Sequence, residues 1–165
     1  LAADVIINLQ GDEPTLEPET LDHLASLLER DPGSSMATLA VPIADKDVYL
    51  SPNVVKVVCD DRGRALYFSR SPIPYCRDGE PDFASEKYLQ HLGIYAYRRT
   101  TLLKLAKMPP HPLELLEKLE QLRMIGSGGT IQVGLVAHGH RGVDTPADYE
   151  DFVQAYRREL PRLAA

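Results

Sequence analysis

Gln10, Asp12 and Glu13 follow directly on a short apolar run, Val5-Ile-Ile-Asn-Leu9, and precede Pro14. An amide and two carboxylates there would face a ligand, because open α/β sheets bind their ligands outside the carboxyl ends of the strands. The same residues equally make an acidic turn, since Gly, Asp and Pro are turn formers. Arg70 follows Leu66 and Phe68 at alternate positions, and its guanidinium either lies at a rim or binds an anion. His91 and Tyr95 flank Gly93 on one side of an expected strand, which opens a shallow gap where a ligand can approach the backbone. The competing reading is a half-exposed strand with ordinary aromatic packing. Glu120, on an expected helix, has Leu116 and Met124 four residues away. Its carboxylate needs a partner, a ligand or water. Gln121 shares another face of that helix with Glu114 and Glu117. Asp144 stands just before Thr145-Pro146, where it complements the dipole of a following helix. Two further motifs carry less. Gly126-Ser-Gly-Gly129 follows a helix and precedes a strand, the reverse of a phosphate loop, and reads as a helix C-terminal turn. His138-Gly-His140 hints at metal, but with no cysteine or carboxylate pair nearby it reads as a solvated loop.

The elements that must position these residues follow from periodicity and punctuation. The β-branched run at Val5–Leu9 predicts a strand covered on both faces, with neighbours on both sides. Such a strand starting so near Leu1 implies that elements preceding it lie outside this sequence. Glu17-Pro18-Glu19 opens a helix whose stripe is Leu21, Leu24, Leu27 and Leu28, ended by Asp31-Pro32-Gly33. Met36–Ile43 reads as a second strand, and strand, helix, strand favours a parallel arrangement. Asn53–Cys59 and Ala65–Arg70 around Asp60-Asp-Arg-Gly63 read as a hairpin. Asp78–Glu86 reads as a polar loop. Tyr88–Tyr97 is a strand with Leu92, Ile94 and Ala96 on one face. Arg99–Lys107 is a short helix. Leu113–Ile125 reads as one continuous helix with Leu115, Leu119 and Leu122 as its core stripe. Thr130–Val133 is a strand, and Pro146 starts a last helix with Tyr149, Phe152, Val153 and Tyr156 on its apolar side.

The chain has 165 residues, 44% hydrophobic and 25% charged, enough for one domain with a real core. A net charge of −6 and a pI near 5.3 argue against nucleic acid as a partner. A small anionic substrate remains compatible, since a metal ion can supply positive charge. Cys59 and Cys76 lack metal-ligand spacing and read as reduced thiols. No apolar run approaches a membrane span, so neither a membrane partner nor a bilayer location is expected, and the cytoplasm is the expected compartment.

Taken in order, Gln10-Gly-Asp12-Glu-Pro14, Met36-Ala-Thr-Leu, Pro52-Asn53-Val-Val-Lys-Val-Val, Ala65-Leu-Tyr-Phe-Ser-Arg70, His91-Leu-Gly-Ile-Tyr95, Pro112-Leu-Glu, Leu119-Glu-Gln-Leu-Arg123 and Gly142-Val-Asp-Thr-Pro146 closely resemble the 3-deoxy-manno-octulosonate cytidylyltransferases, the CMP-Kdo synthetases. Each motif is weak alone, whereas the ordered set, from Val5 to about Val153, is specific. The resemblance implies a three-layer α/β/α nucleotide-binding sandwich with a mixed sheet, Rossmann-like and of the nucleotide-diphospho-sugar transferase type. It implies transfer of CMP from CTP to the acidic sugar 3-deoxy-D-manno-octulosonate (Kdo) in lipopolysaccharide synthesis, with Mg²⁺, by a homodimer. By the family's motif positions Asp12 and Asp144 would be the catalytic Mg²⁺ ligands. Gln10, Arg70, His91, Tyr95, Glu120 and Gln121 would line the sugar pocket, with Arg70 on the sugar carboxylate.

The same resemblance shows a departure. The family's N-terminal basic, glycine-containing loop that holds the CTP triphosphate has no counterpart between Leu1 and Ala165. The chain is therefore expected to be a single domain, 1–165, forming the C-terminal part of a cytidylyltransferase and catalytically incomplete alone. The alternatives are a cytidylyltransferase for another acidic sugar of sialic-acid type, a non-catalytic dimerising fragment, and a general metal-binding domain resting only on the acidic residues and His138-Gly-His140.

Overall fold

The protein was analysed as a computed structural model, which describes residues 3–9, 11, 16–139, 143 and 145–163. The core strand is β2 (Met36–Pro42), buried from Met36 to Ala40 as its apolar sequence, interrupted by Thr38, leads one to expect. It lies between β5 (Leu89–Arg98), which is antiparallel to it, and β6 (Ile131–Leu135), which is parallel. The hairpin of β3 (Lys56–Cys59) and β4 (Ala65–Ser69) extends the sheet, giving the order β4-β3-β5-β2-β6. Its turn is closed by the Asp60 carboxylate, which accepts from the backbone N–H groups of Arg62 (2.9 Å) and Arg64 (2.8 Å).

β5 is longer than its neighbours, and two of them share one of its edges. β3 pairs with Leu89 and Gln90 at one end, and β1 (Val5–Asn8) pairs with Tyr95–Arg98 at the other. Between them only the His91 N–H is held, on the Val55 carbonyl at 2.8 Å, among the described residues. β1 and β2 run in the same direction, as strand-helix-strand predicts, with β5 inserted between them. β1 is half-buried, ends at Asn8 and leaves Leu9 exposed; its described partner is β5 alone.

Helices cover both faces. α1 (Pro18–Arg30) lays Leu24, Leu27 and Leu28 on Ala37, Leu39, Leu92, Ile94 and Ala96. Pro18 in its first turn, Glu19 beside it and Arg30 in its last turn suit the helix ends. The other face, with Met36, Val57, Phe68, Tyr97 and Ile131, is covered by α3 (Arg99–Leu105), α4 (Pro112–Glu117) and α5 (Gln121–Gly126). These layers form an α/β/α sandwich around a mixed sheet. α2 (Lys46–Leu50) and a 3-10 turn at Phe83–Ser85 close a smaller cluster in which Tyr49, Phe83 and Tyr88 meet edge-on. α6 (Pro146–Leu163) ends the chain, with Tyr149 and Tyr156 exposed. Cys59 and Cys76 are free thiols, and no helix among the described residues is long and apolar enough to cross a membrane.

Two expectations from periodicity fail. The predicted Leu113–Ile125 helix is two helices, broken where Lys118 takes a left-handed conformation at φ +56°. Leu119 then turns into the core, whereas Leu115 and Leu116 are 53% and 78% exposed, so Leu115 is not a core residue. The break is fastened by polar contacts that periodicity does not report. Arg123 Nε donates to Glu114 Oε2 at 2.8 Å across it, while the Glu117 carboxylate accepts from the Ser69 hydroxyl at 2.6 Å and the Arg70 N–H at 3.0 Å. Glu114, Glu117 and Gln121 accordingly do not share a face. The second failure is in β4. A bulge between the Val58–Tyr67 and Cys59–Ala65 pairs interrupts the alternation, so Leu66 is exposed while Phe68 is fully buried.

Candidate active site

β5 carries a wide irregularity opposite β2. Thr38 pairs with Tyr95 and Leu39 with Leu92, so Gly93 and Ile94 have no partner on β2. The buried Thr38 hydroxyl fills the gap, 2.7 Å from the Ile94 carbonyl, 3.1 Å from the Leu92 carbonyl and 2.9 Å from His91 Nε2. A hydroxyl has one proton to give. With that proton on a carbonyl, the His91 Nε2–H donates to Thr38 Oγ1, and Nδ1 is left as an acceptor. Burial drives the His91 pKa down to about 3, so the imidazole is neutral. Its ring meets Phe68 edge-on, with centroids 4.9 Å apart, and lies 5.4 Å from Tyr95. Burial pushes the Tyr95 phenol far above its ordinary range, with charge at Tyr97 and Glu120 adding to it, so it is a permanent O–H donor.

On the opposite edge of β5, where β3 and β1 part, a cavity of about 330 Å³ opens over these residues. His91, Gly93 and Tyr95 form one wall, Asn53, Val54 and Val55 a second, and Lys118, Leu119, Glu120 and Gln121 a third. The volume falls in the roughly 300–1,000 Å³ range of small-molecule sites. Gln121 is 5% exposed, and its side-chain Nε2 is buried with no hydrogen-bond partner among the described residues. A buried unpaired amide costs about 1–3 kcal/mol, and Gln121 is one of the residues that line the cavity. Glu120 is exposed, with its carboxylate 3.7 Å from Arg123. The lone-carboxylate problem posed by Leu116 and Met124 disappears with the helix break: the side chain stays wet.

Four of the sequence candidates, His91, Tyr95, Glu120 and Gln121, are thus brought to one cavity. Arg70 is not among its lining residues. Its Nε donates to the Glu117 carbonyl at 2.9 Å and its Nη1 to the Pro52 carbonyl at 3.1 Å, residues that adjoin two of the walls. Gln10, Asp12 and Asp144 lie outside the described residues, as does His140; His138 is exposed. Among the described residues no group of three or more His, Cys, Asp and Glu comes together to hold a metal ion. Thr38, Asn53 and Lys118 were not found by sequence reasoning. A hydroxyl within the apolar run Met36-Ala-Thr-Leu-Ala-Val was the available signal for Thr38; nothing local announces Lys118.

An α/β/α sandwich with a polar cleft at a parting of its mixed sheet has the architecture of a small-molecule site, and comparison with known proteins narrows the class. A family model described as cytidylyltransferase matches residues 1–131. The chain belongs to the cytidylyltransferase family. It is 48% identical over 161 residues to a 3-deoxy-manno-octulosonate cytidylyltransferase of Geobacter sulfurreducens, covering 93% of this chain and 64% of that protein. It is 45% identical over 153 residues to the enzyme of that name from Rhodopirellula baltica, covering 90% and 61%. A solved structure of CMP:2-keto-3-deoxy-manno-octonic acid synthetase complexed with CTP superposes with a TM-score of 0.87 at 43% identity, covering 96% of this chain and 64% of the other. The chain therefore spans a little under two thirds of the length of these relatives.

Proposed function

We propose that this chain supplies the acidic-sugar half of an enzyme that transfers CMP from CTP to the anomeric hydroxyl of Kdo, releasing pyrophosphate, for lipopolysaccharide synthesis in the cytoplasm. The observation that carries this reading is the cleft. A neutral imidazole acceptor, a phenolic donor, a buried unpaired amide and a carboxylate converge there, as a hydroxyl-rich sugar requires. His91, Tyr95, Glu120 and Gln121 bind and orient hydroxyl groups, which supplies geometry rather than proton transfer. Arg70 adjoins the cavity without lining it, and the N–H groups of its planar fork beyond the two on carbonyls would pair with the sugar carboxylate. By the family's motif positions, Gln10 would join the sugar pocket and reach toward the nucleotide.

By the family's motif positions, Asp12 and Asp144 would hold Mg²⁺. Two hard carboxylates suit that ion, and the strands that precede them in the chain end beside residues of the cleft. β1 ends opposite Tyr95, and β6 ends at Leu135, joined through Ala40 to the level of His91. When bound, the ion lowers the pKa of the attacking hydroxyl and offsets charge between two anionic reactants. Homodimerisation belongs to the same proposal, supported by the resemblance to the family.

The test is pyrophosphate release by the full-length gene product with CTP, Mg²⁺ and either Kdo or a sialic acid. Turnover with Kdo is expected to exceed that with sialic acid, and Asp144→Asn should cut it by about 100-fold or more with the fold intact. Equal or faster turnover of sialic acid overturns the choice of sugar. No turnover together with no CTP binding by calorimetry overturns the enzyme in favour of a non-catalytic dimerising protein.

A further inference from the structure

Lys56, at the start of β3, is a lysine with 0% exposure, and it is not among the residues that line the cavity. A buried ammonium is costly unless each proton has an acceptor. Lys56 satisfies all three: Nζ donates to the carbonyls of Ser51 (2.8 Å), Val54 (2.6 Å) and Arg70 (2.6 Å). No carboxylate lies within ion-pair distance of it among the described residues. The three carbonyls belong to different pieces of the site: the end of α2, the Asn53–Val55 wall, and the exit of β4.

Arg70 is the meeting point. Its backbone N–H is held by the Glu117 carboxylate and its backbone carbonyl by the Lys56 ammonium, while its guanidinium bonds the carbonyls of Glu117 and Pro52. Glu117 immediately precedes Lys118, the left-handed residue that begins the third wall. Two walls of the cavity are thus bound to one hydrogen-bonded unit of a buried Lys56 and half-buried Arg70 and Glu117, none of them among the cavity's lining residues.

We infer that Lys56, with Glu117, is a positioning device. It fixes the Arg70 backbone and guanidinium and the Asn53–Val55 wall relative to the Lys118–Gln121 wall, so that the cavity is preformed before an acidic sugar enters. Lys56 is not a catalytic residue, since it touches carbonyl groups of this chain alone among the described residues. The inference rests on the preceding reading only for the identity of the ligand.

The experiment compares wild type, Lys56→Met and Leu28→Ala in the full-length gene product, with two readouts. Leu28 sits in the core on the opposite face of the sheet and serves as a destabilised control. The first readout uses no ligand. Amide and Arg70 Nε–H exchange by NMR is expected to quicken about 10-fold or more at residues 53–55 and 70 in K56M, while Leu39 and Ala40 keep their protection. The second is Kdo affinity, expected to fall about 10- to 100-fold in K56M and to stay unchanged in L28A, with the KM for CTP unaltered. Wild-type exchange at residues 53–55 and 70 in folded K56M overturns the inference, as does an equal loss of Kdo affinity in L28A. If wild type binds no Kdo, the sugar reading falls and the exchange readout still decides the role of Lys56. If K56M does not fold, Glu117→Gln, at a half-buried position, is read in the same two ways, and wild-type behaviour there overturns the unit.

Discussion

Gln121 separates stability from binding at a single side chain. Its amide is buried without a partner among the described residues, and the folded state bears that cost while the cleft is empty. Gln121→Leu keeps the approximate volume and removes the desolvated donor. It is expected to leave the unliganded protein as stable as wild type or more stable, by up to about 2 kcal/mol, while weakening Kdo binding about 10-fold or more. Urea denaturation and calorimetry on the same samples check both signs; lost stability together with retained binding would show that the amide has a structural partner. Thr38 works in the opposite manner. Its hydroxyl spends its bonding capacity on the Leu92 and Ile94 carbonyls and on His91, so the imidazole reaches the cleft with its tautomer already set.

At the scale of elements the decisive feature is the break between α4 and α5. A lysine at φ +56° is strained, because its Cβ crowds the neighbouring backbone, whereas glycine is at ease there. Lys118→Gly is expected to stabilise the protein by about 1 kcal/mol, read as a raised urea midpoint. A lowered midpoint would mean that the lysine side chain contributes more than its backbone costs. This break also marks where sequence reasoning stopped. Strands, α1 and the hairpin were legible because one face or both are buried, and burial writes itself into apolar periodicity. Leu113–Ile125 has good helical periodicity too, yet the break is fastened by Glu114–Arg123 across it and by Glu117 on Ser69 and Arg70, the latter partners remote in sequence. The β4 bulge escaped for the same reason, since alternation presumes a regular ladder. Of the site, His91, Tyr95, Glu120 and Gln121 were legible as an ordered set of motifs. Lys56 was not, because inside Val-Val-Lys-Val-Val nothing tells an outward lysine from a buried one.

For the whole molecule, acid should act in two stages. His91 is neutral when folded, with a pKa near 3, against about 6.5 in an unfolded chain. As pH falls below about 6.5 the unfolded chain takes the proton first, so stability declines between 6.5 and 3 at up to about 1.4 kcal/mol per pH unit; above 6.5 the group contributes no slope. Glu114 is the reverse case. A hydrogen bond from Arg123 holds its carboxylate below the ordinary value of 4.5, and its stabilising contribution is lost only as pH falls through that lower range. His91→Gln is therefore expected to flatten the loss of stability between pH 6 and 5 while leaving the limb below 4.5 in place. Urea midpoints at pH 7, 6, 5 and 4 decide it: an unchanged slope between 6 and 5 would assign the loss to another group. The position of β5 in the sheet carries a consequence of another kind. The described backbone partner of β1, and one of the two partners of β2, is a strand that ends at Arg98. During synthesis both strands must wait, largely unpaired, until that segment has left the ribosome. Closing such long loops is slow, and open apolar edges invite association in the meantime. Folding yield should be set in that interval, when the β3–β4 hairpin can close on itself but β5 is still to come and β1 and β2 are templates without a match.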